Sequence, residues 1–227
     1  MSSEPVPEAA RSRKARVRAV LGVHVVFALA CVLGITIGRD QSGRAILLLT
    51  LIYNAALPLW CLARRDRVSL SMWRFLLPLS VLMILPDAFL SAHLGVLVFP
   101  DTGSPFLGSV PVFMAGLWVI PLFLVLHAGE SGGLPGAALA SCLVFTAAEA
   151  TLWAIPVWHA INVTTVAHVA VYLLVPETVL GLSAWLAWRQ VGDCGLLLRL
   201  TAAFAVMTLY LGNVALFWFL VEFLPAV

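Results

Sequence analysis

Three carboxylates in this chain stand where carboxylates are costly. Asp87, Glu149 and Glu177 each fall inside an apolar run long enough to cross a bilayer, and a charged side chain at that depth costs about 2.5–3.5 kcal/mol on insertion scales. Each therefore needs a partner or a function. Burial favours the neutral acid form of a carboxyl group, and a neutral acid in an apolar cavity can protonate an alkene or an epoxide. The same groups could instead relay protons or hold a cation in a transporter, or bond helices together in a non-catalytic membrane partner.

The company these acids keep sharpens the choice. Trp153 lies one turn beyond Glu149, so ring and carboxyl should share a helix face. Trp118 is a second deep indole. Aromatic faces stabilise a carbocation by cation–π attraction. Thr165, His168 and Tyr172 are spaced to share one face of a helix, and Asn54 and Asn213, with Tyr210, are further candidates to line a cavity. His24, His127 and His159 stand alone and read as packing residues. Trp60, Trp73, Trp158 and Trp188 sit near predicted span ends and read as an interfacial belt.

Several chemistries are excluded. The one lysine, Lys14, precedes the first span, so a retinal Schiff base inside the bundle is ruled out. The cysteines Cys31, Cys61, Cys142 and Cys194 are scattered, with no CxxC spacing. No HxxxH grouping is present, so no metal is expected, nor any other cofactor. Gly181-Leu182-Ser183-Ala184 resembles the serine motif of rhomboid proteases, but no histidine follows His168 to serve it. No DDxxD motif offers a diphosphate–magnesium site.

The elements that must position these residues are membrane spans. The 227-residue chain is 62% hydrophobic and 11% charged, against about 45–50% and about 25% for soluble domains. The pattern predicts an all-α, polytopic membrane protein: a disordered basic tail over 1–18 and a seven-helix bundle over 19–227. The predicted spans are 19–38, 45–63, 70–97, 110–128, 134–158, 163–190 and 196–224, with the segment 99–109, rich in Pro, Gly and Ser, as the main loop. Glu177 then falls near the middle of the sixth span, and Asp87 and Glu149 about 5–8 Å outward of their span centres. The arginines of the tail, of Arg64–Arg67 and of Arg189 and Arg199 fall on one side, which the positive-inside rule makes cytoplasmic. The N-terminus is thus expected in the cytoplasm, the C-terminus outside and the protein in the cell membrane. A net charge of +2 speaks against nucleic acid; the expected partners are membrane lipid and a lipophilic small molecule. Val110-Pro111 with Gly116-Leu117 echoes Val175-Pro176 with Gly181-Leu182, a pattern expected of a parallel repeat of helices 3–4 and 5–6. Glu177 then matches Val112, and Asp87 and Glu149, each borne by the first helix of a pair, read as counterparts. Substrate sites of duplicated membrane folds lie at the repeat interface.

The seven spans, the repeated helix pairs and Pro176-Glu177-Thr178 resemble the lycopene-cyclase-type membrane domains, whose P-x-E-E/D motif lies in a membrane helix. More loosely, the chain is similar to the small integral-membrane terpene cyclases, which use a glutamate on an early helix; here the corresponding stretch, residues 53–60, carries Asn54. The resemblance implies proton-initiated, metal-independent cyclisation of an isoprenoid. Glu149 or Glu177 would be the proton donor, with Asp87 orienting it or acting as terminal base.

Overall fold

The computed structural model describes residues 8–37, 41–152 and 157–224. Helix α1 (Glu8–Ile37) begins inside the stretch expected to be a disordered tail, so the basic residues from Arg11 to Arg18 are helical. Helix α2 (Ser42–Ala63) ends at Arg65, whose φ of +54° reverses the chain. Asp66 then caps α3 (Arg67–Leu82): one carboxyl oxygen accepts from Ser69 N at 3.2 Å and the other from Ser69 Oγ at 2.7 Å. Arg16 of α1 pairs with that carboxylate at 3.2 Å, and Ser69 Oγ meets His127 Nε2 at 3.2 Å. The basic end of α1 is thereby fastened to the α2–α3 turn.

Pro86 has no N–H to give the helix, and its ring excludes the carbonyl one turn earlier. The third span accordingly breaks at Met83 into a short α4 (Ile84–Ala88) and a widened π turn over Phe89–His93. Three two-stranded antiparallel ribbons follow, which apolar periodicity did not disclose. β1 (Leu97–Val98) pairs with β4 (His159–Ala160), β2 (Phe106–Leu107) with β3 (Val110–Pro111), and β5 (Thr165–Val166) with β6 (Val169–Ala170). The predicted helix over 163–190 is corrected by the last of these. Asn162, Ala167 and His168 have positive φ, which no helix accommodates, and a β-branched run suits strands. After a 3₁₀ turn at Val171–Leu173, helix α7 covers Leu174–Val191.

Between the second and third ribbons lie α5 (Met114–Leu117) and the long α6 (Val119–Leu152), interrupted at Gly133 with φ +63° and ψ −154°. The chain doubles back there. A Cβ on Gly136 would lie 2.7 Å from the carbonyl oxygen of Ala128, and the rings of Trp118 and Phe145 are 5.7 Å apart. On a straight helix the latter pair would be about 40 Å apart. Helix α8 (Leu196–Trp218) and a π turn over Phe219–Phe223 complete the bundle.

Among the described residues six helical segments are long and apolar enough to cross a membrane: Arg16–Gly34, Ser42–Ala63, Arg67–His93, Met114–Thr151, Val171–Val191 and Leu196–Phe223. The protein is a multi-pass membrane protein, mainly helical. The predicted fourth and fifth spans are here one segment folded at Gly133. Helix α7 packs between the α6 arms and α8, while among the described residues α1 packs mainly against α2 and α6. Small residues permit the closest approaches, as membrane bundles require. Gly181 faces Ser141 and Val125, and Gly129 faces the ring of Trp185.

Candidate functional site

Asp87 sits in the irregular turn that Pro86 creates, buried, and Trp118 Nε1 donates to its Oδ2 at 3.2 Å. Trp118 is held at the α5–α6 junction by a set of contacts around Asn54. Asn54 Nδ2 donates to the carbonyls of Thr50 (2.9 Å) and Gly116 (3.1 Å), and its Oδ1 accepts from Trp73 Nε1 at 3.3 Å. A Cβ on Gly116 would lie 2.9 Å from Asn54 Nδ2, so the missing side chain is what lets α5 close on α2.

Glu149 lies on the second arm of α6, one turn before its end. Its Oε1 accepts from Trp158 Nε1 at 3.2 Å. The β1–β4 ribbon fixes that indole, because Trp158 immediately precedes His159 of β4. Glu177 occupies the first turn of α7 rather than mid-helix; the third ribbon and the 3₁₀ turn have taken up the residues expected to form the helix's first half. Pro176 is tolerated there because first-turn N–H groups have no partner within the helix. Ser141 Oγ donates to the Glu177 carbonyl at 2.8 Å, at the level where Gly181 lets the two helices meet. Among the described residues none hydrogen-bonds the Glu177 carboxyl group.

All three acids line one cavity of about 520 Å³. The rest of its wall is almost wholly apolar, with Trp118, Trp158, Phe145, Phe99 and Tyr210 supplying aromatic surface. Trp118 is central to it: its ring is 5.7 Å from Phe145 and 6.0 Å, edge-on, from Tyr210. On the lipid side the wall is α1, through Leu21, Val25 and Ala28. His24 ties that helix to its neighbours: its Nδ1 is 2.8 Å from the Val20 carbonyl of its own helix, and its Nε2 lies 3.1 Å from Tyr53 Oη and 3.3 Å from the Ile120 carbonyl.

The acids and Trp118 thus converge as the sequence led us to expect, and the remaining candidates divide. His168 is exposed at the tip of the β5–β6 ribbon, because the helix that would have faced it inward does not exist there. Tyr172 is buried beside the cavity without lining it. Asn54 is the α2–α5 tie described above. Asn213 does not line the cavity; half-buried, it donates to the Leu209 carbonyl at 2.8 Å. Trp153 lies outside the described residues. Two residues were missed. Trp158, read as a belt residue, holds Glu149; its offset of nine residues is not a helical spacing, and only the ribbon brings the two together. His24, read as packing, borders the cavity. Trp188 is likewise no belt residue: it is buried, and its Nε1 donates to Ser71 Oγ at 3.1 Å.

Among the described residues no group of three His, Cys, Asp or Glu side chains is disposed to hold a metal ion. What the cavity offers is acid groups at an apolar, aromatic surface. No curated protein and no solved structure matches this chain. Residues 84–221, which carry all three acids, the ribbons and the Gly133 reversal, match a domain of unknown function, DUF6989, and the chain belongs to that family.

Proposed function

We propose that this protein is an integral-membrane cyclase that protonates a lipophilic isoprenoid, a polyene or its epoxide, and lets the resulting carbocation close rings. The observation that carries the reading is the convergence of Asp87, Glu149 and Glu177 on one apolar cavity walled with aromatic rings. On this reading one of the three carboxyl groups enters the cycle as its neutral acid. Glu177, which no described hydrogen bond restrains, is the donor: its O–H adds a proton to the alkene or epoxide. The faces of Trp118, Phe145 and Tyr210 stabilise the cation. Asp87 or Glu149, each aimed by an indole N–H, takes up the proton lost when the final cation becomes an alkene.

The order of elements supports a duplicated origin for this site. Helix, ribbon strand, hairpin, helix occurs twice, over 67–132 and over 134–191, and β1 pairs with β4 where the copies meet. Asp87 and Glu149 each lie 10 residues ahead of that strand. In this register Glu177 matches Trp118, not Val112, since each follows its hairpin by 7 residues. Val110-Pro111 lies in a strand and Val175-Pro176 in a helix, so that sequence echo is not the repeat. One copy pairs an acid with an indole; the other pairs two acids. Each arm about Gly133 is about 28 Å long at 1.5 Å per residue, which supports counting them as two crossings and the bundle as seven. The arginine distribution then favours a cytoplasmic N-terminus and an external C-terminus.

The test is turnover in membranes supplied with prenylated aromatic epoxides and linear polyenes, with products read by mass spectrometry. Glu177→Gln should lower turnover by roughly 10²–10⁴, the usual contribution of a positioned acid, while leaving the fold intact. If Glu177→Gln, Glu149→Gln and Asp87→Asn all cyclise these substrates at the wild-type rate, the mechanism is wrong.

A further inference from the structure

Away from the acid cavity, at the end of the bundle where the α2–α3 and α7–α8 turns meet, lies a polar recess of about 590 Å³. Four arginines line it: Arg65 and Arg67 from the first turn, Arg74 from the second turn of α3 and Arg199 from the start of α8. Two carboxylates border it. Asp66 is already paired with Arg16, which leaves Asp193 facing four guanidinium groups. The one ion pair among the described residues is Arg16–Asp66, so none of the four arginines is neutralised by it. Arg199 Nε is shut off from solvent and, among the described residues, has no hydrogen-bond partner. Arg65 adopts a left-handed backbone conformation, φ +54°, where glycine or asparagine is the ordinary choice. The half-buried guanidinium of Arg199, with the exposed ones of Arg65, Arg67 and Arg74 around the same recess, matches the planar acceptor edges of a phosphate.

The recess continues into an apolar groove of about 700 Å³ along the lipid-facing side of α3 and α8. Arg74 and Arg199 border both. Below them the groove is walled by Leu77, Pro78 and Val81 from α3 and by Leu196, Leu200 and Phe204 from α8. A cationic mouth at a helix end, continuous with an apolar trough that runs into the bilayer, has the shape and chemistry of one amphiphile. We propose that this is a binding site for an anionic phospholipid, with its phosphate among Arg65, Arg67, Arg74 and Arg199 and an acyl chain in the α3–α8 groove. Charge complementarity selects the anionic headgroup, and the groove selects a lipid over a free anion.

The full-length protein, purified in mild detergent and offered equimolar phosphatidylglycerol and phosphatidylcholine, tests this by native mass spectrometry of retained lipid together with thermal unfolding. Phosphatidylglycerol should be retained preferentially and should raise the melting temperature. Arg74→Gln with Arg199→Gln should cut that preference by roughly ten- to thirtyfold, the amount two juxtamembrane arginines contribute. The lysine pair, Arg74→Lys with Arg199→Lys, should keep much of it. Val81→Trp, which fills the groove without touching the charge, should reduce retention of phosphatidylglycerol while the variant still unfolds cooperatively. Equal retention of the two lipids by the wild type, or an unchanged preference in the glutamine pair, overturns the site. Inorganic phosphate alone producing the same thermal shift overturns the assignment to a lipid.

Discussion

Gly181→Ala probes the contact that sets Glu177 in place. A Cβ at 181 would lie 2.9 Å from Val125 Cγ1 and 2.6 Å from Ser141 Cβ, and closer still to Ser141 Oγ, where ordinary contacts are 3.4–4 Å. One added methyl therefore obliges two helical arms to retreat. Overpacking of this kind costs about 1–3 kcal/mol. Moving Ser141 also sacrifices its 2.8 Å bond to the Glu177 carbonyl, a further 0.5–1.5 kcal/mol, roughly. Against this stands the intrinsic helical advantage of alanine over glycine, about 1 kcal/mol. The expected net is a destabilisation of roughly 1–3 kcal/mol, a fall of about 3–10 °C in melting temperature for a chain of this size. Thermal unfolding in detergent, followed by circular dichroism, measures it. Gly212→Ala is the internal control: nothing lies within 4 Å of the place its new methyl group would take, so it should be neutral or mildly stabilising. Ser141→Gly, which vacates the clashing side chain, should restore part of the loss in the Gly181→Ala background. Equal melting temperatures for Gly181→Ala and Gly212→Ala would refute the close α6–α7 approach.

Three other perturbations follow from the same geometry. Asp66→Ala removes the α3 cap and strands Arg16, so stability should fall by about 1–2 kcal/mol, and proteolysis should reach the α1–α2 region sooner. Trp158→Phe keeps the ring but deletes the N–H held by Glu149; turnover of the epoxide substrates should drop by about tenfold, the worth of roughly one hydrogen bond to a carboxyl, with the melting temperature nearly unchanged. Ala148→Phe projects a ring into the 520 Å³ cavity and should abolish cyclisation of bulky substrates while sparing the fold, read as product formation against substrate length.

Much of this organisation was legible in the residues. Apolar runs and arginine clusters marked the second, third and last spans to within a few residues, and Pro100, Gly103 and Pro105 marked the long loop. The acids announced themselves by their depth. What periodicity could not see was the set of short ribbons. Val163-Thr164-Thr165-Val166 and Val169-Ala170-Val171 are apolar enough to pass for a helix start, though their β-branching was the available signal. That misreading carried His168 and Glu177 to the wrong heights. Trp158 escaped for a related reason: its partnership with Glu149 depends on the β1–β4 pairing, a contact between stretches far apart in the chain that no local pattern encodes. The fold of the Met114–Thr151 segment was visible as the break between the predicted spans 110–128 and 134–158, but the reversal itself is confined to Gly133.

The pairing of Leu97 with Ala160 and Val98 with His159 also governs how the bundle can move. It rivets the two helix pairs together at one end, just beyond Asp87 and Glu149, so the pairs form the arms of a clothes-peg whose spring is a backbone ladder. Such a device yields more readily at its far jaws than at its rivet. The wall with the fewest neighbours is α1, which packs against α2 and α6 and is tied to them by His24 and to the α2–α3 turn by the Arg16–Asp66 pair. On the proposed function, a lipophilic substrate would enter the cavity sideways, from the plane of the membrane.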